Sequence, residues 1–133
     1  EKNPYANCIF HEGGALPFLS ETFDIVASAG TLEFIRDPSV IVHDFADKVK
    51  SKGFVAVTYL CEVENNSLLG WWRTFREKLL RVGFSAHSNK FIKDCFNSAG
   101  MNVLEQSQWC GLVYQDGRRF HYGFTLAQKV QPS

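Results

Sequence analysis

The side chains able to do proton, metal or thiol chemistry are scattered along the 133 residues. The histidines His11, His43, His87 and His121 show no metal-ligand spacing, and Cys8, Cys61, Cys95 and Cys110 form no C-x-x-C pair. Structural zinc needs closely spaced ligand pairs, so no metal centre is expected. A disulfide framework is not expected either, because a chain of this length has core enough without staples. The cysteines read as buried free thiols in a reducing, cytoplasmic compartment. His43 falls within a helical pattern and reads as a surface residue. His87 precedes a helix, in a loop from which an imidazole could contact a substrate. Glu12-Gly13-Gly14 follows a short apolar run. It is either a carboxylate beside backbone that a ligand can approach closely, or a solvated turn. Ser28-Ala29-Gly30 ends an apolar run in small residues that leave room beside the backbone, and the bland alternative is a plain strand exit. Trp71, Trp72, Phe75 and Phe84 either line an apolar pocket or form the sheet-covering face of an amphipathic helix. No catalytic residue stands out.

The elements that must position these residues follow from periodicity. Asn7 to Phe10 reads as a strand ending in a loop, and Phe23 to Ser28 as a near-continuous buried strand of the kind found in parallel sheets. Asp37 to Lys50 reads as a helix. Asp37 can cap it, Pro38 suits the first helical position, and Ile41, Val42, Phe45 and Val49 form one apolar stripe. Lys48, Lys50 and Lys52 crowd its C-terminal end, and Gly53 is a natural stop. Phe54 to Tyr59 is the clearest strand, β-branched and aromatic. After a polar stretch from Cys61 to Ser67, Trp72, Phe75, Leu79 and Val82 mark a second helix. Ser88 to Ala99 is a third, capped by Ser88, striped by Phe91, Ile92, Cys95, Phe96 and Ala99, and ended by Gly100. A strand lies around Asn102-Val103-Leu104, and Asp116-Gly117 between Leu112–Tyr114 and Phe120–Ala127 signals a hairpin. The order begins as alternating α/β and ends in antiparallel strands. The expected fold is an open, twisted α/β sheet with an antiparallel edge, in a single domain over residues 1–133.

Bulk properties exclude several functions. The chain carries 14 basic and 14 acidic residues. That balance gives no strong nucleic-acid signal, because such binding depends on neutralising phosphates. No apolar run approaches the ~20 residues of a membrane span. Glu1 is not a methionine, so further chain upstream is expected.

The ordered segment from Gly14 to Pro38, with its Leu16-Pro17-Phe18, Phe23-Asp24-Ile25-Val26, Leu32-Glu33-Phe34 and Asp37-Pro38 elements, resembles the middle of an S-adenosylmethionine-dependent methyltransferase of the Rossmann-like, type 11-like kind. Lys50-Ser-Lys-Gly-Phe-Val-Ala-Val57, Ser98-Ala-Gly-Met-Asn-Val-Leu104 and the run from Phe120 to Lys129 resemble its later segments. The resemblance spans roughly Cys8 to Lys129. It implies S-adenosylmethionine as cofactor and methyl transfer to a small-molecule acceptor. Glu12 would accept from the adenine amino group, with Gly13 admitting backbone to the ring. Ser28, Ala29 and Gly30 would lie against the methionine part. Phe34 stands where many relatives have histidine, so it cannot act as a base and would shape an apolar substrate pocket with Trp71, Trp72 and His87.

The family's glycine-rich cofactor turn and the acidic residue that holds the ribose would both lie upstream, so the resemblance is to the C-terminal half only. The family's strand order is three, two, one, four, five, seven, six, and this chain would supply three to seven. Strand four would then expose an apolar edge. A longer enzyme, a second copy of the chain in a homodimer, or a rearranged noncatalytic interaction module would each resolve that edge. Hydride transfer on a similar fold lacks its glycine fingerprint here.

Overall fold

The structure is a computed structural model that describes residues 15–64, 85–113, 115 and 117–130. The expected strand around Asn7–Phe10 and the helix marked by Trp72 to Val82 lie outside those residues.

Strand β1 (Phe23–Ser28) pairs in parallel with β2 (Val49–Glu64), joined by helix α1 (Ser39–Lys48). Helix α2 (Asn89–Ser98) then leads to β3 (Met101–Val113), which turns into β4 (Arg119–Lys129). The sheet order is β1-β2-β4-β3, with β4 antiparallel to both neighbours. The fold is thus a partial Rossmann-like α/β sheet, and its order matches the four-five-seven-six portion implied by the resemblance. The antiparallel edge is the β4-β3 pair, with β4 lying between β2 and β3. Strand order depends on pairings distant in sequence, which local periodicity does not encode.

Both helices pack on one face of the sheet. Val42, Phe45 and Ala46 of α1 meet Ile92, Cys95 and Phe96 of α2 over Val55, Val57 and Tyr59 of β2 and Ala127 of β4. Each stripe is the one that three- and four-residue spacing selects. Phe91 is the exception, lying exposed beside the cap. Ser88 caps α2, its hydroxyl accepting from the Phe91 N–H at 3.1 Å, and Gly100 follows the helix at φ 77°. Asp37 serves α1 from outside it, accepting from the Ser39 N–H at 3.0 Å and the Ser39 hydroxyl at 2.7 Å. Those two bonds hold its carboxyl below the usual range.

The end of α1 corrects the expected boundary. The helix stops at Lys48, where the Val49 N–H returns to the Phe45 carbonyl, and Lys50 and Lys52 belong to β2. The register runs from Phe23↔Val49 to Ile25↔Phe54, so residues 50–53 bulge from the ladder. Lys52 takes φ 66° there, and a Cβ on Gly53 would fall 2.6 Å from the Asp24 carbonyl oxygen. Gly53 therefore allows a close backbone approach. Lys48 itself is tucked in, with its ammonium 3.3 Å from Asp44 and 2.8 Å from Asp47.

Candidate functional site

Ligands of open α/β sheets gather beyond the C-terminal ends of the parallel strands. Here that end carries the residues following β1. Ser28 is half-buried, while Ala29 and Gly30 are exposed, and Gly30 takes φ 71°. Among the described residues, a Cβ added at Gly30 would meet only the Glu33 Oε1, at 3.8 Å. The chain next makes a 3-10 turn, Leu32–Phe34, with Leu32 fully buried and Phe34 58% exposed.

Residues 85–88 fasten this turn to β2. The Ser85 N–H donates to the Glu33 carbonyl at 2.6 Å, and the His87 N–H to the Leu60 carbonyl at 2.8 Å. The His87 ring is buried, and its Nε2 lies 3.0 Å from the Leu32 carbonyl and 2.8 Å from that of Ile35. Both partners are acceptors, so Nε2 is assigned the hydrogen. The imidazole thus closes the turn that follows β1, between the two parallel strand ends.

A polar chain lies beneath. Gln106 Nε2 donates to Thr125 Oγ1 at 3.0 Å, Thr125 Oγ1 meets the Tyr59 hydroxyl at 2.7 Å, and Tyr59 donates to Asn89 Oδ1 at 2.5 Å. With Tyr59 donating to Asn89, Thr125 is the donor to Tyr59, and every hydroxyl is used in one direction. Cys61 also donates to Asn89 Oδ1, at 3.3 Å. Burial pushes the Tyr59 hydroxyl up to about 12 and raises the Cys61 thiol, which keeps both as donors. Gly123 leaves space for this chain: a Cβ there would lie 2.4 Å from the Tyr59 ring and 2.6 Å from Asn89 Oδ1. On the far side of β2, Leu60, Val63 and Phe120 form a second apolar cluster with Tyr122, whose ring stacks on Trp109 at 6.1 Å.

Among the expected site residues, the structure brings together Ser28, Ala29, Gly30, Phe34 and His87 at one end of the sheet. Glu12, Gly13, Trp71 and Trp72 lie outside the described residues. Cys95 is buried and Cys61 half-buried as free thiols, but Cys110 is exposed on the edge strand β3, contrary to the expectation for all four. Among the described residues no group of His, Cys, Asp and Glu could hold a metal, and no helix is long and apolar enough to cross a membrane. Glu33 reads from the sequence as a solvated, helix-proximal side chain, and the structure differs. Its Oε2 is buried and makes no hydrogen bond, an arrangement that no local pattern in Leu-Glu-Phe signals.

Comparison with known proteins agrees with this architecture. The methyltransferase domain family model matches residues 2–57, which include β1, the turn after it and the first half of β2. No curated protein matches the sequence. Among solved structures, an S-adenosylmethionine-dependent methyltransferase of Methanosarcina mazei is similar at TM-score 0.67 and 15% identity, over 89% of this chain and 64% of that one. Phosphoethanolamine N-methyltransferase 2 of Haemonchus contortus, in complex with S-adenosyl-L-methionine, gives TM-score 0.62 at 13% identity, over 86% of this chain and 35% of that one. The [4+2]-cyclase SpnF gives 0.62 at 14% identity, over 89% and 54%. The chain spans less than two thirds of the length of each of these three. The segment 2–57 thus matches the methyltransferase domain family model, and the described strands carry the fold of S-adenosylmethionine-dependent methyltransferases.

Proposed function

We propose that this chain takes part in S-adenosylmethionine-dependent methyl transfer to a small-molecule acceptor, as the C-terminal portion of a longer or assembled enzyme. The observation that carries this reading is the family match over β1 and the turn that follows it. The described residues fit the methionine end of the cofactor. Ser28, Ala29 and Gly30 offer backbone polar groups with only small side chains beside them, and nothing among the described residues lies within 3.8 Å of the Cβ position of Gly30. When bound, the cofactor supplies an activated methyl group on a sulfonium, and the protein supplies binding and orientation. Glu12 would accept from the adenine amino group, with Gly13 beside the ring. Phe34, together with Trp71, Trp72 and the His87-braced turn, would wall the acceptor pocket and exclude water. A segment carrying a glycine-rich turn, from further chain or from a second copy, would complete the cofactor site.

A second reading is a noncatalytic methyltransferase-like interaction module. It is favoured by the unpaired outer edge of β1 among the described residues and by the 14% identical cyclase on the same fold, since a fold hosts more than one function. Calorimetric titration with S-adenosylhomocysteine separates the two. Saturable one-to-one binding in the micromolar range is expected for the methyltransferase reading. A folded chain that gives no heat at millimolar ligand, alone and with the upstream glycine-rich segment supplied, would leave the module reading in its place.

A further inference from the structure

One oxygen of the Glu33 carboxylate has no hydrogen-bond partner among the described residues. Its Oε2 is buried and makes no hydrogen bond, and no salt bridge to Glu33 is present among the described residues. A buried carboxylate oxygen without a donor is costly, and native proteins rarely keep one without a use. The surrounding backbone is already engaged. The Glu33 carbonyl accepts from Ser85, and the Leu32 and Ile35 carbonyls share the His87 Nε2 hydrogen. The orphaned oxygen therefore belongs to a residue whose backbone lies in a turn that three hydrogen bonds hold in place. Its position is also specific. Oε1 of the same carboxylate lies 3.8 Å from the Cβ position of Gly30, on the cofactor side, and Phe34, on the acceptor side, is the next residue.

Resting on the methyltransferase reading, we infer that Glu33 is an acceptor-binding residue whose carboxylate takes an N–H from a nitrogen at the transfer point, so that the acceptor is an amine. The geometry asks for a donor, and a charged or charge-acquiring N–H donor is the group that a buried carboxylate binds best. An alkylated amine nitrogen must also shed a proton. Its N–H bond breaks, the electron pair stays on nitrogen, and the proton passes to Oε2 of Glu33. An acceptor carbon would offer no such donor.

The test compares three adenosine ligands by calorimetry on the whole chain and on Glu33→Gln. Sinefungin carries a C–NH3⁺ group where S-adenosylmethionine carries S⁺–CH3, so it places N–H donors at the transfer point. S-adenosylhomocysteine carries neither and reports the rest of the site. The wild-type chain is expected to bind sinefungin about tenfold or more tighter than S-adenosylhomocysteine, the gain of one charge-assisted hydrogen bond. In Glu33→Gln that preference is expected to fall to within about twofold, with affinity for S-adenosylhomocysteine unchanged, which also shows that the variant is folded. A wild-type chain that binds both ligands equally overturns the assignment whatever the variant does. So does a variant that loses all three ligands alike, or one in which S-adenosylmethionine falls as far as sinefungin, since the carboxylate would then answer the sulfonium. Failure of the wild-type chain to bind any of them, alone and with the upstream glycine-rich segment supplied, overturns the methyltransferase reading as well.

Discussion

His87 shows how one side chain can fix a site without touching a ligand. The ring bridges two carbonyls of the turn after β1 while the His87 backbone N–H donates to Leu60 of β2. Truncation removes the ring's bond to the Ile35 carbonyl, leaves the Leu32 carbonyl with the Ile35 N–H alone and opens a void, so His87→Ala is expected to lower stability by about 2–3 kcal/mol in urea denaturation. It should also weaken S-adenosylhomocysteine, because the turn bearing Glu33 and Phe34 loosens. A variant that keeps full stability would show that the turn is held by other contacts. Tyr59 makes a second residue-level prediction. Its folded pKa, about 12, lies above the ordinary value of 10.0, so the unfolded chain releases this proton first as pH rises. The contribution is fully present below about pH 10 and is lost toward 12, at up to ~1.4 kcal/mol for each pH unit. Urea midpoints measured across that window should fall, and the part due to Tyr59 should vanish in Tyr59→Phe. A Tyr59→Phe profile parallel to the wild type would reject this account.

At the level of elements, the polar chain from Gln106 to Asn89 ties the start of α2 to β2, β3 and β4. The space for it is made at Gly123, where an added methyl would press on the Tyr59 ring, Asn89 and Cys61. Gly123→Ala is therefore expected to cost about 1–3 kcal/mol, from overpacking, and to shift the thermal midpoint down. An unchanged midpoint would mean that the strands slide apart at little cost. This packing was not legible in the sequence, where Gly123 is one glycine within an apolar run. Legible were the helices, because Val42 and Phe45 of α1 and Ile92, Cys95 and Phe96 of α2 repeat at the helical period, and Ser88 and Gly100 punctuate as caps do. The hairpin was legible from Asp116-Gly117, and Gly117 does take φ 87°. The strand lengths were not. Residues 105–110 are rich in polar residues, yet they join β3 because β4 pairs with them, and residues 50–53 extend β2 as a bulge beyond Val49. Of the candidate site, the small residues Ser28 to Gly30 could be read from their place after a strand. The roles of His87 and Glu33 could not, since each depends on contacts 50 or more residues away in sequence or on an oxygen without a hydrogen-bond partner among the described residues.

For the whole molecule, the sheet presents two unlike edges. The β3 edge mixes exposed polar residues, Asn102, Glu105, Ser107 and Gln108, with exposed apolar ones, Leu104, Trp109, Leu112 and Val113. The β1 edge reads Phe-Asp-Ile-Val-Ala-Ser, with Ile25 63% exposed, and among the described residues no strand pairs with its outer side. Such an edge is a template for another strand, and proteins usually blunt it with charge. Here the blunting is confined to one end, where Asp24 lies 3.5 Å from Lys50 and both are largely exposed. An exposed pair of this kind contributes little, so Ile25, Val26 and Ala27 remain able to pair. The apparent mass of the isolated chain in sedimentation velocity is thus expected to rise with protein concentration. Ile25→Lys puts a charge in the middle of the apolar stretch without touching the core under α1, because the Ile25 side chain is on the surface. It should therefore suppress association and leave the urea midpoint within about 0.5 kcal/mol of the wild type. If both proteins sediment as monomers over the same range, the β1 edge is covered from within the chain, and a second copy is removed from the ways in which the cofactor site could be completed.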